Sequence, residues 1–234
     1  MNDALIKTEN LIKRYPIGGG EFTALKDINL QFERGEFTGI VGPSGSGKTT
    51  LLNILGSLDI PTEGSASVLD KKIEKLSHKE AAQLRNRHMG FIFQTYNLLP
   101  VYSVYENIEF PLLLSKVPPA ERKQKVLQSL DWVNMMDKIN SRPAQLSGGE
   151  AQRVSIARAI VKQPEIVLAD EPTANLDADN SHNILKLMVD LNKNLKTTFI
   201  FATHDEKVIG YLKRKISLVD GRVAKDEVVL QVDN

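Results

Sequence analysis

The chain has 234 residues, 41% hydrophobic and 25% charged, enough for a substantial core within one domain. With 30 Lys and Arg against 29 Asp and Glu the net charge is +1, so no global field favours nucleic acid. There is no cysteine, which removes disulfide scaffolds, thiolate zinc sites and cysteine nucleophiles.

The opening Met1-Asn2-Asp3-Ala4-Leu5-Ile6-Lys7 lacks the basic segment and the run of about 7–15 apolar residues of a secretory signal. Phe110 to Leu114, among the longest apolar runs, breaks at Ser115-Lys116, far short of the roughly 18 residues a membrane helix needs. The expectation is a soluble, cytoplasmic protein; any work at a membrane requires another chain.

The first 40 residues read as strands. Ile28, Leu30 and Phe32 alternate with Asn29 and Gln31, and Gly35-Glu36 leads into Phe37 to Val41. Gly18-Gly19-Gly20 reads as a flexible hairpin tip rather than a phosphate loop, because no helix follows it. From Thr38 the pattern becomes short apolar runs, each followed by a helix: Gly39 to Val41, Gly90 to Phe93, Ile166 to Ala169 and Thr198 to Ala202. That alternation predicts a mostly parallel sheet covered on both faces. Ser77 and Glu80 form a capping box for an intervening helix. Residues 96–162 read as a mostly helical insert, with Pro118-Pro119 opening a helix that places Val126, Leu127, Leu130, Val133 and Met136 on one face. Ile216 to Val219, Asp220-Gly221 and Arg222-Val223 read as a β-hairpin. No internal repeat or linker is evident, so residues 1–234 are expected to form a single domain.

Three segments carry chemistry. Gly42-Pro43-Ser44-Gly45-Ser46-Gly47-Lys48-Thr49 fits the phosphate-loop pattern G-x-x-x-x-G-K-S/T between an apolar strand and an apolar helix running on through Thr50 to Leu55. Its backbone N–H groups form an anion nest, Lys48 reaches the β- and γ-phosphates and the Thr49 hydroxyl can ligate Mg²⁺. Ile166-Val167-Leu168-Ala169 ends in Asp170-Glu171 at the carboxyl end of a buried strand. Asp170 is the natural Mg²⁺ residue and Glu171 the acceptor of a proton from an attacking water, unless both acids simply cap a helix start beside Pro172. Leu146-Ser147-Gly148-Gly149-Glu150 combines a Ser147/Glu150 capping box with two exposed backbone N–H groups, a second helix N-terminus prepared for an anion. Val154, Ala157, Ile160 and Val161 make the following helix amphipathic.

These segments, in this order, resemble the nucleotide-binding subunit of an ABC (ATP-binding cassette) transporter, and the resemblance covers essentially the whole chain. Glu150 stands where the family's signature more often has glutamine, a departure shared by the lipoprotein-releasing and macrolide-efflux branch. The resemblance implies a P-loop NTPase fold of class α/β with a mostly parallel central sheet, an N-terminal antiparallel β subdomain and a helical insert (residues 96–162) carrying the signature. It implies a head-to-tail homodimer in the ATP state, in which Ser147, Gly148, Gly149 and Glu150 form the signature presented to the opposite subunit, with Ser147 and Gly149 contacting the γ-phosphate bound there. Gln94 matches the residue sensing Mg²⁺ and γ-phosphate, and His204 the histidine contacting γ-phosphate. Asp177, in Asn175-Leu176-Asp177, matches the loop crossing the dimer interface, although it can also merely cap the next helix. Tyr15 matches the aromatic that stacks on adenine; its alternative is an edge-strand tyrosine.

The function so implied is an ATPase: a motor subunit that couples ATP binding, dimerisation and hydrolysis to a separate integral membrane permease, for export or for lipoprotein or lipid extraction. Mg²⁺ would be held by Thr49, Gln94 and Asp170, with Lys48, Glu171 and His204 as the catalytic groups. No nucleic-acid partner is implied. The alternative is a regulatory module that pulls on a membrane partner without moving cargo. The aromatic and apolar stretch Tyr96 to Tyr105 is either core of the insert or a dock for that partner. Location at the inner face of the cell membrane follows from the permease.

Overall fold

The computed structural model describes residues 4–229. Strands β1 (Ala4–Ile17) and β2 (Gly20–Glu33) form a long antiparallel hairpin. Gly18 and Gly19 turn it at φ of +37° and +96°, a conformation that the missing Cβ makes accessible. Ile28, Leu30 and Phe32 are buried, as their alternation requires.

The chain then leaves that sheet. Strand β3 (Phe37–Val41) enters a second sheet and runs through the glycine-rich loop into helix α1 (Lys48–Leu55). Strands β4 (Glu63–Val68) and β5 (Lys71–Lys72) return to the hairpin, completing a four-stranded antiparallel sheet in the order β2-β1-β4-β5. Helix α2 (His78–His88), closed by the Ser77/Glu80 capping box, leads to β6 (Met89–Ile92).

Helices α3 (Val104–Leu114), α4 (Pro119–Trp132) and α5 (Gly148–Ile160) lie between β6 and β7 (Ile166–Asp170). Helix α6 (Ala178–Leu195), β8 (Thr198–Thr203), the short α7 (Glu206–Ile209) and the hairpin of β9 (Arg214–Val219) and β10 (Arg222–Val228) complete the fold. The central sheet has six strands in the order β10-β9-β3-β8-β7-β6. It is parallel from β9 to β6 and antiparallel only at β10.

The period of two along each central strand sends alternate side chains to opposite faces. Phe37, Val167, Ala169, Phe199 and Phe201 pack with α3, α4, α5 and α6 on one face. Ile40, Ile166, Leu168, Ile200 and Ala202 pack with α1 and the antiparallel sheet on the other. Both faces are therefore sealed, and the loops at the carboxyl ends of β3, β7 and β8 are left side by side, where ligands of such sheets bind.

Two local expectations are corrected. Helix α4 ends at Trp132, and Asn134 turns the chain at φ +54°. The helical period is broken there, so Met135 is 2% exposed and Met136, expected on the buried face, is 45% exposed. Helix α5 is not merely amphipathic: besides Val154, Ala157, Ile160 and Val161 it buries Gln152, Ser155, Ile156 and Ala159, because it packs against α3, α4, α6 and β6 at once.

Candidate nucleotide-binding site

Strand β3 delivers the loop of residues 42–47 to the N-terminus of α1. Gly47 sits there at φ +102°, and a Cβ on it would stand 2.7 Å from the Ala24 carbonyl oxygen, so only glycine closes the turn. Lys48 is 7% exposed and folds over the loop, its Nζ donating to the Gly42 and Pro43 carbonyls at 2.7 and 3.0 Å. Pro43, Ser44 and Gly45 are exposed. Ser46 is buried with its hydroxyl unpartnered. A cavity of about 230 Å³ opens here, lined by Gly45, Gly47, Lys48, Thr49, Thr50 and, unforeseen from the sequence, Phe22.

The hydroxyl of Thr49 donates to Asp170 at 3.1 Å, joining positions 121 residues apart. Burial pushes the Asp170 carboxyl above the ordinary carboxylate range and the neighbouring charge of Glu171 adds to this; Thr49 and Lys48 offset it only in part. A hydroxyl beside a carboxylate that is short of positive charge is a hard-oxygen donor set, which suits Mg²⁺.

Glu171 follows at φ +46°, its N–H bonded to the Ala202 carbonyl. Oε1 lies 2.6 Å from Nδ1 of His204, and Oε2 accepts from the Thr203 hydroxyl at 3.1 Å. The carboxylate is thus fixed by two consecutive residues at the end of β8, while Nε2 of His204 has no partner among the described residues. Thr203 also accepts from Asp205 N, and Asp205 accepts from Thr173, which braces the loop after β7 against the loop after β8. Thr173, Thr203 and Asp205 carry no recognisable motif, and only the tertiary structure shows their part.

Ser147 caps α5 in a complete capping box with Glu150, and Ser147 and Gly148 are exposed. The Glu150 carboxyl is held below the usual range by the Ser147 N–H and by Lys138. A Cβ on Gly149 would meet Asn180 Oδ1 at 2.7 Å, so the close approach that the paired glycines call for comes, at that position, from within the chain. Gln94 lies two residues beyond β6, not at its end; it is exposed and its carbonyl accepts from Asn175 at 2.8 Å. Asp177 does cap α6, accepting from Asn180 N at 2.8 Å. Tyr15, in β1, stands directly opposite Phe22 on β2. Two further residues were missed. Gln152 donates to the Pro172 carbonyl at 2.7 Å, tying α5 to the loop after Glu171. Arg158 donates to the Tyr96 and Asn97 carbonyls, both residues having positive φ. Helix α5 carries a second cation, Arg153, so the residue type alone did not single out Arg158.

The model of the family described as ABC transporter matches residues 25–174. The chain belongs to the ABC transporter family. Among ABC relatives, the lipoprotein-releasing system ATP-binding protein LolD of Idiomarina loihiensis is 43% identical, covering 97% of this chain and 100% of the relative. LolD of Pseudoalteromonas translucida is 44% identical over 97% and 98%. The dimeric post-hydrolysis structure of the ATP-binding cassette MJ0796, bound to ADP and Pi, superposes with a TM-score of 0.89 at 40% identity, covering 96% of this chain and 99% of that one. The structure of cbiO1 from Clostridium perfringens, part of the ABC transporter complex cbiONQ, gives 0.87 at 33% identity over 97% and 89%. The expected fold class is the one observed: an α/β ABC cassette with a mostly parallel sheet and an antiparallel β subdomain.

Proposed function

We propose that this ABC subunit hydrolyses ATP as a head-to-tail homodimer and drives a separate membrane permease, in the service of lipoprotein or lipid extraction or export. The observation that carries the reading is the Glu171–His204–Thr203 arrangement beside Thr49 and Asp170. Glu171 accepts the proton of an attacking water at Oε1 or Oε2, and His204 and Thr203 hold that carboxylate in place. Lys48 and the loop N–H groups bind and orient the phosphates. Thr49, Asp170 and Gln94 would hold Mg²⁺, which when bound neutralises phosphate charge. The names of the relatives favour lipoprotein release over a module that moves no cargo.

The dimer follows from the second helix N-terminus. The Ser147 hydroxyl accepts only from Glu150 N among the described residues, leaving an exposed anion-receptive end for the nucleotide of a second subunit. Light scattering of Glu171→Gln should show the 26.1 kDa mass double on addition of Mg-ATP. An unchanged mass overturns the paired arrangement.

No helix among the described residues is long and apolar enough to cross a membrane. A cleft of about 330 Å³ lined by Phe91, Phe93, Leu99, Phe110, Pro111 and Arg158 lies beside the segment after Gln94 and supports a dock for a permease helix. Within the stretch 96–105, Tyr105 and Leu98 pack on the core, whereas Val101 and Tyr102 are exposed. Tyr102→Glu should keep the fold and basal turnover while losing most stimulation by the permease in membranes. Full stimulation would remove Tyr102, whose ring stands 6.3 Å from that of the cleft residue Phe110, from the dock.

A further inference from the structure

Tyr15 stands opposite Phe22, which lines the phosphate-loop cavity, and the inference rests on its reading as the ring that receives the base. Its own hairpin does not hold the end of the ring. The phenol hydroxyl donates at 2.8 Å to Oδ2 of Asp59, four residues beyond the end of α1. Oδ1 of the same carboxylate accepts from Lys13 Nζ at 2.6 Å and from Ile60 N at 2.8 Å. Lys13 donates also to the Ile60 carbonyl, and its ammonium stands 4.9 Å from the centre of the Tyr15 ring. The Lys13 side chain is only 10% exposed. Burial alone would raise the Asp59 carboxyl, but the bonds from Lys13, Tyr15 and Ile60 outweigh it and keep the group below the ordinary range. Burial and the Asp59 bond raise the Tyr15 phenol, so it remains a donor. Thr50, in the first turn of α1 and lining the phosphate-loop cavity, is a further neighbour of the phenol.

A tyrosine ring has two free torsions, and a tie at its far end removes most of that freedom before a ligand arrives. We propose that Asp59, braced by Lys13, is a positioning residue for nucleotide binding: it fixes the plane of Tyr15 opposite Phe22, so that a purine base meets a preset ring. Asp59 acts through Tyr15, touches no phosphate and has no part in the chemical step. Nothing in the phosphate-loop motif points to it, because it lies outside that motif and reaches Tyr15 across 44 residues of sequence.

The test separates base from phosphate. Tyr15→Phe removes only the hydroxyl and leaves the Lys13–Asp59 pair intact; Asp59→Ala removes the carboxylate; Asp59→Asn keeps an acceptor. Tyr15→Phe and Asp59→Ala should each raise the KM for Mg-ATP about three- to tenfold with kcat within about twofold. Inhibition by inorganic tripolyphosphate, which has phosphates and no base, should not change. The double variant should be no worse than the more impaired single one, since both singles already lack the Tyr15–Asp59 bond, and Asp59→Asn should recover most of the affinity. If Asp59→Ala weakens tripolyphosphate as much as ATP, or fails to fold while Tyr15→Phe binds ATP normally, Asp59 serves the framework alone and the proposal is wrong. If Tyr15→Ala weakens ATP but Tyr15→Phe does not, the base reading stands and the role of Asp59 falls. If even Tyr15→Ala leaves the ratio of ATP to tripolyphosphate binding unchanged, the base reading itself falls.

Discussion

Glu171→Gln should bind Mg-ATP within a few-fold of the wild type and lose about 10²–10⁴ in turnover, the range for removing a general base. The substitution is nearly isosteric. The glutamine oxygen can still accept from the Thr203 hydroxyl, so the loop after β7 keeps its brace, and the Ala202 bond to the backbone N–H is untouched. What is lost is a carboxylate able to take a proton, held 2.6 Å from His204. Affinity should survive because residue 171 does not line the phosphate-loop cavity. Phosphate release at saturating Mg-ATP, beside equilibrium nucleotide binding, checks both halves. Turnover within a few-fold of wild type would remove Glu171 from the chemistry.

Asp170→Asn should abolish hydrolysis and yet stabilise the nucleotide-free protein. The carboxyl is held above its ordinary range, chiefly by burial and then by the Glu171 charge, so its ionised form is disfavoured in the fold. The sign follows by linkage. A carboxyl raised on folding costs stability above its folded pKa, and the cost disappears as pH falls below the unfolded value. At pH 8 the asparagine variant should therefore melt at a higher temperature than the wild type, and the difference should shrink towards pH 4. On the proposed role of Asp170 as a Mg²⁺ ligand, losing the carboxylate removes several kcal/mol of charge stabilisation, about 10²–10⁴ in rate. Thermal melts across pH without nucleotide, and turnover against Mg²⁺ concentration, test the two effects. A lower melting temperature at pH 8 would mean that Asp170 is a structural hydrogen-bonding group rather than a charge awaiting a cation. Stability sacrificed for a charged site is a common pattern at functional positions.

By itself the sequence determined most of what depends on near neighbours along the chain, though not the break after Trp132 that turns Met136 outward. The nest of residues 42–49 is legible because one backbone segment must supply consecutive N–H groups. The Ser77/Glu80 and Ser147/Glu150 capping boxes are legible because both bonds close within three residues. Gly18-Gly19 and Asp220-Gly221 announced their turns through the need for positive φ. The apolar runs from Gly39 to Val41, Gly90 to Phe93, Ile166 to Ala169 and Thr198 to Ala202 announced the strands of one mostly parallel sheet, but not their order within it. Strand β3 lies between β8 and β9, while β4 crosses back to β1. Those choices are decided by which pairing seals both faces of the central sheet, a property of the whole molecule. The site divides in the same way. Lys48, Asp170 and Glu171 lie in local patterns, whereas the bonds of Thr49 to Asp170, His204 to Glu171 and Tyr15 to Asp59 span 121, 33 and 44 residues. Only the tertiary structure decided them, because such partners meet when burial sets the strand order, and no local rule of spacing encodes that distance.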